Sequence, residues 1–157
     1  MKNIGIKIET GSLEIPIQRD GKAQGSFFMN VKDISFVRKV YNMLQKADGT
    51  IRNYELKHQV LSKKKEKDKW GFPANLGEII ELNEKTADAF VASIDETFGE
   101  GVSDMLFGNQ KDIELFVSFF KQIKKIMDGE RKKSVNKYID DIDNENKDHA
   151  VENDKLE

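Results

Sequence analysis

Glycines at 99 and 101, in Phe98-Gly99-Glu100-Gly101, have the spacing that opens a nucleotide phosphate loop. Such a loop cradles phosphate oxygens with backbone amides, and needs a strand before it, a helix after it and a third glycine three residues on. Here a helical pattern precedes the pair, Asp104 stands where the third glycine belongs, and no Gly-Lys-Ser/Thr occurs. Helix-end geometry is the stronger role for Gly99, Gly101 and Gly108. Asp95, Glu96, Glu100 and Asp104 supply carboxylates for a divalent cation, yet in a chain that is 34% charged such groups ordinarily face water. Asp141, Asp143, Glu145 and Glu152 fall at calcium-loop positions one, three, five and twelve, but Asn146 occupies the sixth, which requires glycine. His58 lies on a helical stripe and His149 in an acidic segment, neither with a partnered nucleophile. Cysteine is absent, which removes disulfides, thiolate metal sites and thiol nucleophiles. No catalytic group, metal or cofactor is expected, and the chain reads as a non-enzyme.

The run Lys63-Lys64-Lys65-Glu66-Lys67-Asp68-Lys69 followed by Trp70 sets cations for phosphates beside a ring for base stacking. It is short and interrupted by acids in a chain of net charge −2, so a solvated helix end is the stronger reading and nucleic acid the weaker. The net charge conceals an asymmetry. Residues 140–157 carry −6 and the rest carry +4.

The elements that hold these groups follow from periodicity. Ile4, Ile6 and Ile8 alternate with polar residues or glycine, and Leu13, Ile15 and Ile17 alternate with Glu14, Pro16 and Gln18. With turns at Thr10-Gly11-Ser12 and Arg19-Asp20-Gly21-Lys22, the second leading into Gln24 to Met29, these predict a three-stranded antiparallel meander over 1–30. Pro16 cannot donate to a ladder, so its nitrogen must face an unpaired side or a bulge. Asn30 or Asp33 can cap a long helix over 33–67, with Phe36, Val37, Val40, Tyr41 and Leu44 on its stripe and Ile51, Tyr54, His58 and Leu61 resuming it past Asp48-Gly49. Asn75 can cap a second helix over 75–98, whose stripe runs from Leu76, Ile79 and Ile80 through Phe90 and Ile94 to Phe98.

Five of the ten phenylalanines, Phe98, Phe107, Phe116, Phe119 and Phe120, crowd the segment from Ile94 to Phe120. A short helix over 101–107 is predicted there between glycine corners, followed by a C-terminal helix over 112–140 capped by Asp112. That last helix is apolar around much of its girth, because Leu115, Phe119 and Ile126 lie on a different side from Ile113, Phe116, Phe120 and Ile123. Neighbours or a partner must wrap it, which makes Phe116, Phe119 and Phe120 candidate partner contacts and self-association an expectation. The fold class is α+β, one domain over 1–140, with 141–157 an acidic tail expected to be disordered. No apolar run approaches a membrane span, so a cytoplasmic protein is expected.

Phe98-Gly99-Glu100-Gly101, continuing through Ser103 to Phe107-Gly108 and a helix of the type Phe116-x-x-Phe119-Phe120, resembles the tail assembly chaperones of long-tailed phages and prophages of Gram-positive bacteria. Leu13-Glu14-Ile15-Pro16-Ile17 and Val31-Lys32-Asp33-Ile34-Ser35-Phe36 leading into Val40-Tyr41-Asn42 extend the likeness, which spans Ile4 to about Tyr138. The resemblance implies a protein that binds the long helical tape measure protein, keeps it soluble in the host cytoplasm and is displaced as tail tube subunits polymerise. It implies absence from the mature virion, contact with the major tail tube protein, and in many members a longer frameshifted product. Phe98, Gly99, Gly101, Phe107 and Gly108 are then the residues that shape the helical corner. A structural component of the tail or its connector, or a nucleic-acid-binding regulator acting through Lys63 to Trp70, is the alternative.

Overall fold

The computed structural model describes residues 4–133. The end of the expected C-terminal helix, the acidic tail, its calcium-like spacing and His149 lie outside those residues. The architecture is α+β, with a two-stranded antiparallel sheet followed by helices. β1 (Leu13–Arg19) and β2 (Lys22–Met29) are joined at Asp20-Gly21, where φ values of 53° and 76° make the tight mirror-image turn that matches strand twist.

The expected third strand is not formed. Ile4, Ile6 and Ile8 are 94%, 89% and 78% exposed, and residues 4–12 pair with nothing in the sheet. Pro16 accounts for this. The two-residue turn makes Arg19–Lys22 a hydrogen-bonded pair, and alternation along β1 then puts Pro16 at a non-hydrogen-bonded position opposite Ser26. Its ring nitrogen therefore lies on the free edge of β1, where it removes the donor that a strand running back from Thr10 would need in its middle.

One face of the hairpin is buried. Ile17, Phe27 and Met29 point inward, while Phe28 on the other face is 61% exposed. A register shift at Ile17/Gln18 brings Gly25 opposite Ile17 on the inner face, and Met105 fills the space that a side chain at 25 would occupy. Arg19 shares that face and crosses to the third helix, where its Nη1 donates to the carbonyls of Asp104 (2.9 Å) and Met105 (3.2 Å). The Asp104 carbonyl also accepts from the Gly108 amide at 2.7 Å, so the guanidinium adds a second donor at this helix end.

α1 (Ile34–Ser62) starts at Asp33, whose side chain accepts from the amide of Ser35 at 2.9 Å. It runs unbroken through Gly49, although glycine in a helix interior costs roughly 1 kcal/mol. The stripe on either side of Gly49 packs along α2 (Leu76–Phe98), and the Tyr54 hydroxyl donates to Asn83 Oδ1 at 2.9 Å across that seam. Val40, Met43 and Ala47 are its buried residues, whereas Tyr41, expected on the stripe, is 57% exposed. The helix stops at Ser62, short of the expected 67, because five lysines from 63 to 69 have no apolar area to bury.

α3 (Val102–Phe107) is a short turn of helix between glycines, and α4 is helical from 113 through 133 of the described residues. Two compact units divide the chain, Met1–Phe120 and Lys121–Glu157, and the division falls within α4. The first unit owns an aromatic core. Phe90 stacks on Phe116 and Phe120 at ring distances of 5.5 and 5.2 Å, Phe107 on Phe116 at 4.5 Å, and Phe98 on Phe27 and Phe119 at 5.1 and 5.8 Å. These separations and tilted planes are those that aromatic quadrupoles favour. In the second unit Ile123 is buried, and Lys133 Nζ lies 3.2 Å from Glu130 Oε1.

Candidate partner-binding groove

The residues singled out around the glycines form an internal joint. Gly99, Gly101 and Gly108 all have positive φ (126°, 88° and 61°), and Gly101 is the left-handed residue that starts α3. An L side chain there is strained, so the bend from α2 into α3 depends on this glycine. Asp95 Oδ1 accepts from the Ser103 amide at 2.8 Å and satisfies a donor at the start of α3. That bond is the use this structure makes of one of the four clustered carboxylates. Among the described residues no group of three or more His, Cys, Asp or Glu is gathered to hold a metal.

Phe116, Phe119 and Phe120 are 0%, 6% and 6% exposed, so within this chain their rings are packed in the core. The girth of α4 is apolar there because α2 and α3 both supply rings to it, Phe90 and Phe98 from one and Phe107 from the other. Of the surplus side, Leu115 reaches solvent at 37%.

Exposed apolar surface lies instead at the far end of the α1–α2 pair. Leu56 and Val60 are 65% and 64% exposed on the last turns of α1, and with Leu61 and Leu82 they line a groove of about 500 Å³. Lys57, Glu78, Glu81 and Lys85 rim it, and Lys85 Nζ pairs with Glu81 Oε1 at 3.0 Å. Leu56 and Val60 fall off the stripe that binds α1 to α2. An i, i+4 aliphatic pair on the polar side of a helix is the sequence signal that marks this groove.

A tongue connects the two helices at this same end. Asp68 organises it: its amide donates to the Phe72 carbonyl at 2.8 Å, and its Oδ1 accepts from the amides of Trp70 (2.8 Å) and Phe72 (3.0 Å). A second rung joins the Ala74 amide to the Glu66 carbonyl at 2.8 Å. The folded tongue leaves Trp70 and Phe72 74% and 54% exposed, with Lys69 Nζ 5.3 Å from the Trp70 ring centroid.

Asn75 closes the neck. It is 6% exposed, stands at the N-cap of α2 without a side-chain capping bond, and donates from Nδ2 to the Leu61 carbonyl at 2.7 Å. Replacing it by alanine is expected to cost about 1–2 kcal/mol, and by aspartate more, because a carboxylate would then face a carbonyl in a buried place. Denaturant midpoints measure the cost, and faster tryptic cleavage at Lys63 to Lys69 reports the opened neck.

No helix among the described residues is long and apolar enough to cross a membrane. Residues 25–153, from within β2 onward, match DUF6673, a family of unknown function. The chain belongs to this family. Neither a curated protein nor a solved structure matches it.

Proposed function

We propose that this member of the family is a tail assembly chaperone of a long-tailed phage or prophage, a non-enzymatic protein that binds the tape measure protein and keeps it soluble until tail tube subunits assemble. The observation that carries the proposal is the open groove beside Leu56 and Val60. A helical client exposes an apolar stripe that aggregates unless it is laid against a complementary surface, and a groove between two helices is the common solution. The glycine-cornered string from Phe98 to Gly108 adds support through its likeness to that family, and its role in this reading is to hold the core that fixes α2 in place. The proposed setting is the host cytoplasm, with self-association and contact with the tail tube protein as further parts of the reading.

Co-expression with a tape measure protein, which this reading expects to be encoded beside this gene, tests the proposal. The client is expected to move from the pellet to the soluble fraction when this chain is present. An unchanged distribution would end the chaperone reading.

A further inference from the structure

We infer that the groove takes an amphipathic helix whose apolar stripe is flanked by acidic residues; this rests on the client-binding reading and adds the charge of the segment that is bound. The groove's own rim is electrically balanced, since its two lysines face two glutamates and one pair is already joined at 3.0 Å. Charge selection must therefore come from the tongue, which rises from the same end of the helix pair. Residues 63–69 hold five lysines against Glu66 and Asp68, a net +3, and every one of them is exposed. The Asp68 carboxylate is turned to backbone amides within the loop, so the cations dominate what a partner meets.

Trp70 and Phe72 add exposed aromatic surface on the tongue itself. A client helix lying on the aliphatic pair at this end of the helices would bring its flanking carboxylates toward the lysines of the tongue, and complementary charge of this kind sets partner choice and encounter rate. Nucleic acid fits less well, because its phosphates have no use for an aliphatic groove that is neutral at its rim. A bilayer surface is the remaining alternative, and vesicles are included among the probes to test it.

Trp70 is the chain's single tryptophan and stands in solvent, so its emission reports occupancy of this end without a label. The whole protein would be titrated with a synthetic leucine-striped helix of about five turns flanked by glutamates, and with the same helix flanked by lysines. Oligothymidylate and phosphatidylglycerol vesicles serve as the other probes. The glutamate-flanked peptide is expected to shift Trp70 emission to shorter wavelength and to bind about tenfold tighter than the lysine-flanked one, an advantage that shrinks as salt rises. Leu56→Ser with Val60→Ser, at exposed positions, is expected to weaken that binding about tenfold with circular dichroism unchanged. Equal affinity for the two peptides, tighter binding of oligothymidylate or vesicles, or full binding by the double variant would overturn the inference. If the client is kept soluble while the acidic peptide does not bind, the inference falls and the chaperone reading stands. If the peptide binds and the client stays insoluble, the chaperone reading falls alone.

Discussion

Phe116→Ala is expected to destabilise the protein by about 3–5 kcal/mol, the range for removing a buried phenylalanine ring. The ring is fully buried, 4.5 Å from Phe107 and 5.5 Å from Phe90, so its loss opens a cavity between α2, α3 and the start of α4. Partial collapse is hindered because its neighbours are themselves rings held in tilted contact. Phe116→Leu keeps most of the apolar volume and is expected to cost well under half as much. Leu115→Ala, one residue away and 37% exposed, is expected to cost about 1 kcal/mol or less. Urea denaturation of the three variants distinguishes core from surface. A small loss for Phe116→Ala would return that residue to the role of partner contact that its sequence context invited.

Gly25→Ala is expected to cost about 2–5 kcal/mol, a large effect for one methyl group. Two causes add. Gly25 has φ of 131°, a conformation that L residues rarely adopt and that costs of order 1–3 kcal/mol. A Cβ built there would also lie 2.6 Å from Met105 Sδ, so the flexible thioether must swing aside and give up part of its contact with the hairpin. The two causes separate in a double-mutant cycle. Met105→Ala removes the obstruction, so adding Gly25→Ala to that background is expected to cost only the backbone strain. Equal costs in both backgrounds would mean that Met105 is not what the glycine makes room for.

The helices were legible because their evidence is local. Thr86, Ala87, Phe90 and Ile94 repeat at the helical period, Gly99 and Gly108 mark the ends, and Asp33 has the chemistry of a cap; α2, α3 and the start of α1 followed from these. The third strand failed because alternation is a property of a segment and pairing is a property of an edge. Ile4, Ile6 and Ile8 have the right period, but Pro16 removes the donor they would need, a consequence that depends on the register of β1 against β2. Phe119 was ambiguous for a related reason. An all-round apolar helix must be wrapped, and only the fold shows that Phe98 and Phe107 do the wrapping. Leu56 and Val60 were visible as an aliphatic pair off the stripe, yet their meaning rests on Leu82 of α2 lying across from them.

The central claim is that a client is held at the α1–α2 groove. Co-purification of the tagged tape measure protein with the wild-type chain and with Leu56→Ser/Val60→Ser tests it most directly, with thermal melts establishing that both chains are folded. Stoichiometric recovery of the wild-type chain and loss of most of the variant is the expected result. Equal recovery of the two would place the client somewhere other than this groove.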